Sequence, residues 1–129
     1  MTEHASGTFD VKLVPLDPTA ADAPLVRMAI DKRFHGDLDG TSVGQMLSIG
    51  TEVKGSAGYV AMERVTASLR GKRGSFALQH TGTMNRGQPQ LSISVVPDSG
   101  TGELKGLSGT LSIRIEDGKH FYVFDYTIA

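Results

Sequence analysis

One short pattern recurs three times along the chain and constrains its fold more than any other feature. A leucine is followed by a charged residue and a glycine, and a second glycine lies three or four positions later. Glycine supplies positive φ, bulges and close backbone approach. Apolar or alternating residues follow each copy, so we predict that the glycines mark corners between strands of a sheet that curls into a barrel. The copies are Leu38-Asp39-Gly40 with Gly44, Leu69-Arg70-Gly71 with Gly74, and Leu104-Lys105-Gly106 with Gly109.

The composition favours one all-β domain over residues 1–129. The chain has 16 glycines, no tryptophan and little 3.6-residue periodicity, and its 129 residues are enough for one core but too few for two. It contains no cysteine, which excludes disulfides, thiol nucleophiles and thiolate metal sites.

The charge balance argues against polyanionic partners. The net charge is −1, and the basic residues are scattered except for Arg70, Lys72 and Arg73, which we interpret as a solvated hairpin tip. We therefore expect no nucleic acid partner and no membrane partner. No cofactor is expected either. The first residues lack the basic and apolar regions of a signal peptide, so a soluble cytoplasmic protein is predicted.

Alternating apolar residues divide the chain into seven or eight strands joined by short turns. The first strand stops at Pro15, and the connection over 15–24 could hold one helical turn capped by Asp17 or Thr19. His4 is assigned to a frayed end. With no crossover helix, the pattern describes an up-and-down antiparallel meander that closes into a barrel. The further strands are predicted at 26–38, 42–53, 58–69, 74–84, 91–95, 103–116 and 119–128.

The most suggestive polar group combines Tyr59, Glu63 and His80, each on an otherwise apolar strand face. Desolvation there would shift the pKa values of the acid and the imidazole, which is how general acids and bases are tuned. Glu63 and His80 are therefore candidate catalytic residues. The alternative is a buried pair with satisfied hydrogen bonds. The expected ligand-binding neighbours are Tyr59, Gln45, Tyr122 and Tyr126.

Two other patterns suggest chemistry less specifically. Asp98-Ser99-Gly100-Thr101 matches the loop of aspartic peptidases, which would require a symmetric dimer, but Asp-Ser-Gly is also a common turn sequence. His35 and Asp37 share a strand face that could lie near His80 and His120. The His-x-His motif of metal-binding barrels is absent, so no metal site is predicted.

Four segments together resemble the bacterial family known as domain of unknown function 3224. They begin at Lys32, Gly58, Gly74 and Asp98, and the resemblance extends to His120-x-Tyr122 and Asp125-Tyr126. The family is grouped with allene-oxide-cyclase-like barrels, which implies an all-β, eight-stranded antiparallel up-and-down barrel with a central cavity. The segments are Lys32-x-Phe34-x-Gly36-Asp37-Leu38-x-Gly40, Gly58-Tyr59-Val60-Ala61-x-Glu63, Gly74-Ser75-Phe76-x-Leu78-x-His80 and Asp98-Ser99-Gly100-Thr101-Gly102-Glu103-Leu104-x-Gly106.

Three function classes follow for such a barrel. The first is a binding protein that holds a small apolar or amphiphilic molecule in its central cavity. The second, implied by the cyclase superfamily, is a cofactor-independent isomerase or cyclase in which Glu63 is the cavity carboxylate. The third is a structural module whose interior is filled by Phe, Met and Tyr. An outward row of apolar residues would favour a homo-oligomer.

Overall fold

The protein is a closed barrel of eight antiparallel strands in a computed structural model that describes residues 2–16 and 25–129. The predicted barrel is confirmed. The helical turn predicted within 15–24 lies outside the described residues. No helix in the described ranges is long and apolar enough to cross a membrane. The strands are β1 Glu3–Pro15, β2 Leu25–Gly36, β3 Leu38–Gly50, β4 Ala57–Leu69, β5 Lys72–Asn85, β6 Gln88–Val95, β7 Leu107–Glu116 and β8 Lys119–Ile128.

Each strand pairs with its sequence neighbour, and β1 also pairs with β8 from Glu3 opposite Tyr126 to Phe9 opposite His120. This last ladder closes the barrel and removes its free edges. His4, predicted to be frayed, lies within this ladder, and its ring contacts Asp125 at 2.5 Å. Its place in β1 is fixed by backbone pairing, which an isolated sequence segment does not reveal.

The glycine pattern marks corners in two copies but not in the first. Gly71 and Gly106 lie in connections with φ of 87°, as predicted. The turn between β2 and β3 instead falls at Gly36, where φ is 106°, and Gly40 lies within β3. Gly40 faces the barrel interior, and a Cβ there would lie 2.2 Å from the carbonyl oxygen of Thr66. In the first copy, Gly40 therefore permits close strand approach rather than a turn.

The seam between β6 and β7 is the weakest part of the wall. Only Ser94 and Thr110 are register partners there, whereas β4 and β5 pair from Ala57 to Leu69. Gly102–Leu104 form a short 3₁₀ turn, so the strand predicted to start at 103 begins at Leu107. The fully buried Leu104 points from this turn into the core.

Aromatic and aliphatic side chains fill the barrel at the end where β2 turns into β3 and β4 into β5. The rings of Phe76 and Phe124 stack at 5.8 Å, and those of Phe124 and Tyr126 at 5.2 Å. Leu38 and Leu69 are completely buried beside them. We call this half the packed end, and the opposite half, where β3 turns into β4 and β5 into β6, the open end.

Tyr122 fastens the β2–β3 corner from inside the barrel. Its hydroxyl accepts a hydrogen bond from the Leu38 backbone N–H at 2.9 Å. The same hydroxyl donates to the carbonyl oxygen of His35 at 3.0 Å. Burial raises the pKa of Tyr122, so the phenol stays protonated. The side chain therefore acts as a structural clamp between β8 and the corner.

Replacing Tyr122 by Phe leaves the buried Leu38 N–H without its partner. We expect Tyr122→Phe to lower the free energy of unfolding by about 1–3 kcal/mol, measured by urea denaturation. The matched control is Tyr126→Phe, because the Tyr126 hydroxyl has no hydrogen bond within the described residues. Equal losses in both variants would contradict the clamp.

Candidate functional site

Four buried polar side chains meet inside the barrel, about midway between its two ends. The Glu63 carboxylate accepts hydrogen bonds from Lys32 Nζ at 2.9 Å and from His80 Nε2 at 2.5 Å, both on Oε2. Its other oxygen, Oε1, accepts from Ser42 Oγ at 2.7 Å. These residues are the buried polar and charged side chains of the described chain, and we call them the buried network.

Strand register brings the network together from four consecutive strands. Lys32 on β2 is the register partner of Ser42 on β3. Glu63 on β4 lies opposite Gly44, where a Cβ would come within 2.8 Å of the Glu63 Cβ. His80 on β5 is one diagonal step away, since it pairs with Ala61. Because side chains alternate between the two faces of each strand, all four point inward.

The network is electrostatically balanced. Burial by itself raises the pKa of Glu63, but the hydrogen bonds from His80 and Lys32 and the charge of Lys32 outweigh it, so that its pKa falls to about 2. The Lys32 ammonium also lies 5.0 Å from the Phe9 ring centroid and 5.8 Å from that of Phe34, within cation–π range. Glu63 is therefore a fixed anion and a weak base.

His80 connects this anion to the open end of the barrel. His80 Nε2 lies against Glu63, and the other ring nitrogen, Nδ1, lies 3.5 Å from the Tyr59 hydroxyl. In the tautomer that carries its proton on Nε2, Nδ1 is a hydrogen-bond acceptor. Burial, followed by the charge of Glu63, raises the pKa of Tyr59, so the phenol is a proton donor. Carboxylate, imidazole and phenol therefore follow one another in contact, from Glu63 through His80 to Tyr59.

A glycine holds Tyr59 in this position. Tyr59 is the register partner of Gly82 on β5, and a Cβ on Gly82 would lie 2.3 Å from the Tyr59 ring. The ring therefore lies directly on the backbone of β5, and any larger residue at position 82 would displace it.

Apolar side chains that point inward are left exposed around the open end. They lie on the same strand faces as buried residues, yet their exposed fractions are large, and we call them the apolar rim. Met28 and Met46, also on inward faces, are half-buried below them. The rim consists of Leu13 (44%), Met84 (40%), Leu91 (43%) and Ile115 (65%).

The structure brings together some of the predicted site residues and separates others. Tyr59, Glu63 and His80 lie together as grouped from the sequence, since Glu63 and Tyr59 each contact the His80 ring. Gln45 lies on the outer wall, where its side chain accepts a hydrogen bond from Arg27, because its position on β3 alternates with inward Gly44 and Met46. Tyr122 is occupied by the β2–β3 corner and Tyr126 belongs to the packed end.

Sequence reasoning missed Lys32 and Ser42. A signal for Lys32 was present, since it shares a strand face with the apolar residues Met28, Ile30 and Phe34. A lysine on such a face requires a buried partner of opposite charge. Nothing in the sequence distinguishes Ser42 from the other serines.

The remaining motifs have structural explanations. Asp98 is an exposed turn residue with φ of 61°, and the Ser99 hydroxyl binds the loop to β5 by accepting the Ala77 N–H. His35 and His120 lie on opposite faces of their strands, His35 outward in an ion pair with Asp10. No group of three or more acidic or histidine side chains within residues 2–16 and 25–129 is arranged to hold a metal ion.

Four concave sites of about 310 to 640 Å³ lie on the outer wall and at the ends of the barrel. None of these four is lined by Lys32, Glu63 or His80. The expected central cavity is therefore not among these four sites.

The low pKa of Glu63 predicts a specific pH dependence of stability. The carboxylate of Glu63 stabilises the fold fully at pH values above 4.5, its ordinary pKa. This stabilisation is lost as the pH falls toward about 2, the pKa in the folded protein, and it amounts to about 3 kcal/mol. We expect this part of the loss to be absent in Glu63→Gln when urea unfolding is measured from pH 5 to pH 2. Glu116→Gln, at an exposed glutamate, should keep the wild-type profile; parallel profiles for wild type and Glu63→Gln would contradict the prediction.

Comparison with known proteins identifies the family. The family described as "Protein of unknown function (DUF3224)" matches residues 5–126. A solved structure of a protein with unknown function from the DUF3224 family of Shewanella oneidensis MR-1 is 49% identical, covers 100% of this chain and 99% of its own, and superimposes with a TM-score of 0.93. No curated protein matches the chain. The protein, an eight-stranded β-barrel, therefore belongs to the DUF3224 family.

Proposed function

We propose that the protein binds a small apolar or amphiphilic molecule at the open end of the barrel. The observation that carries the proposal is the apolar rim, in which side chains on core-facing positions are exposed above a buried polar network. Soluble proteins rarely leave apolar groups exposed together without a binding role. Ligand sites typically combine such apolar walls with a few precisely placed polar groups.

Tyr59 and His80 supply the polar contacts of the proposed site. Tyr59 is half-buried between the network and the rim, and its phenol remains a donor because its pKa is raised. A ligand carbonyl or hydroxyl oxygen that reaches this depth would accept the Tyr59 proton. The ion pair of Lys32 and Glu63 is internally neutral, so the site favours an uncharged polar end over a free anion.

The buried network has a supporting role in this proposal. Glu63 is fully occupied by protein donors, and it fixes the ring of His80 through Nε2. Positioning of this kind holds the contact atoms in place before the ligand arrives, which reduces the cost of binding.

The second candidate is the isomerase or cyclase implied by the resemblance to allene-oxide-cyclase-like barrels. The order Glu63, His80, Tyr59 favours proton transfer, in which Nδ1 of His80 accepts a proton and Tyr59 donates one. A carboxylate whose pKa is about 2 is a poor base, so the reactive group would be His80 rather than Glu63. In this case His80→Gln would retain ligand binding and lose turnover.

A neutral fluorescent amphiphile tests the binding proposal. Prodan, a naphthalene ketone whose emission reports the polarity of its surroundings, should bind with a blue shift. A charge in the rim should oppose entry of the apolar body, so Leu91→Asp should weaken binding by about tenfold or more. Tyr59→Phe, which removes one hydrogen bond, should weaken it by about fivefold.

The matched control is Val123→Asp, because Val123 has a similar exposed fraction of 45% but lies on the outer wall. It should leave prodan binding unchanged. If Leu91→Asp and Val123→Asp weaken binding equally, the probe is on the outer wall and the proposal fails.

A further inference from the structure

The outer wall of β2, β3 and β4 carries a second group of exposed apolar side chains, separate from the rim. They point away from the barrel because they alternate with inward residues such as Met46 and Tyr59. Register places them on three adjacent strands, since Leu25 pairs with Ile49 and Leu47 with Val60, with the polar side chains of Arg27 and Gln45 among them. We call them the outer patch: Leu25 (53%), Val43 (62%), Leu47 (42%), Ile49 (46%), Val60 (51%) and Met62 (50%).

Two opposite charges flank Val43, at one end of this patch. Val43 on β3 is the register partner of Asp31 on β2 and of Arg64 on β4, so the row reads Asp31, Val43, Arg64 across three strands. Neighbouring strands lie about 5 Å apart, which places one charge on each side of Val43 at equal distance. Neither Asp31 nor Arg64 makes an ion pair or side-chain hydrogen bond within the described chain.

We propose that the outer patch binds a second copy of this chain, related by a two-fold axis that runs close to the direction of β3. Rotation about this axis places Val43 of one copy against Val43 of the other. It also exchanges the two sides of the row, so Asp31 of each copy faces Arg64 of the other. The interface is isologous, with one apolar centre and two identical ion pairs.

The charges select this axis over the other face-to-face arrangement. An axis along the row, perpendicular to the strands, would place Asp31 against Asp31 and Arg64 against Arg64. Such like-charge contacts are unfavourable. The patch and the two charges are thus both compatible with the axis along β3. With this axis, the open ends of both barrels point in the same direction and stay accessible.

Charge exchange provides the decisive experiment, with dimer dissociation measured by sedimentation equilibrium. The wild type should be dimeric at micromolar concentration. Asp31→Arg should raise the dissociation constant by roughly tenfold or more, because it places an arginine opposite Arg64 twice. Arg64→Asp should do the same, and the double variant Asp31→Arg/Arg64→Asp should return to near the wild-type value.

Val43→Asp tests the centre of the interface. A carboxylate on the axis lies opposite the same carboxylate of the second copy. The dissociation constant of the dimer should therefore rise by roughly a hundredfold. Val123→Asp on β8 is the matched control and should leave the dimer intact. All of these side chains are exposed in the single chain, so circular dichroism and the thermal midpoint of the monomer should be unchanged.

Two results would overturn the inference. A wild-type monomer at micromolar concentration would exclude a second copy of the chain as the occupant of the patch. A double charge exchange whose effect equals the sum of the single variants would show that Asp31 and Arg64 do not meet across the axis. Neither result depends on prodan binding at the open end.

Discussion

Closure of the barrel between β1 and β8 is the constraint on which the rest of the structure depends. Once the wall is continuous, every second residue of each strand must occupy one shared interior. The packed end satisfies this requirement with stacked rings such as Phe76 and Phe124. Glycines such as Gly40 and Gly44 allow neighbouring strands to approach closely. The Tyr122 clamp fixes the β2–β3 corner.

The buried network is the exception to an apolar interior. Burial of an ion pair costs desolvation energy, and apolar residues of similar volume often stabilise a protein equally well or better. The charges of Lys32 and Glu63 neutralise each other, and His80 links Glu63 to Tyr59, which lies nearer the open end. Besides the pH-dependent stability that Glu63 contributes, this arrangement fits the proposed role of positioning Tyr59 and His80 for a ligand.

Much of this fold could be predicted from alternation alone. The inward positions of Tyr59, Glu63 and His80 followed from residues that share their strand faces, and the structure confirms that they meet. The turn at Gly36 could not be predicted, because alternation continues without interruption from Val26 to Leu38. The outward direction of Gln45 could not be predicted, because a polar residue in a strand is compatible with either face when the inward residues beside it are small.

The sequence by itself determined the strand periodicity, the barrel class and the family, because these depend on local patterns along the chain. Only the tertiary structure decided the partners of Glu63, since register across β2, β3, β4 and β5 brings together residues up to 48 positions apart between Lys32 and His80. It also decided which glycines turn the chain and which admit a neighbouring strand. The physical reason is that side chains alternate between the two faces of a strand, so the face of each residue can be predicted from the local sequence. The residues that it contacts depend instead on the pairing of strands that are distant in the chain.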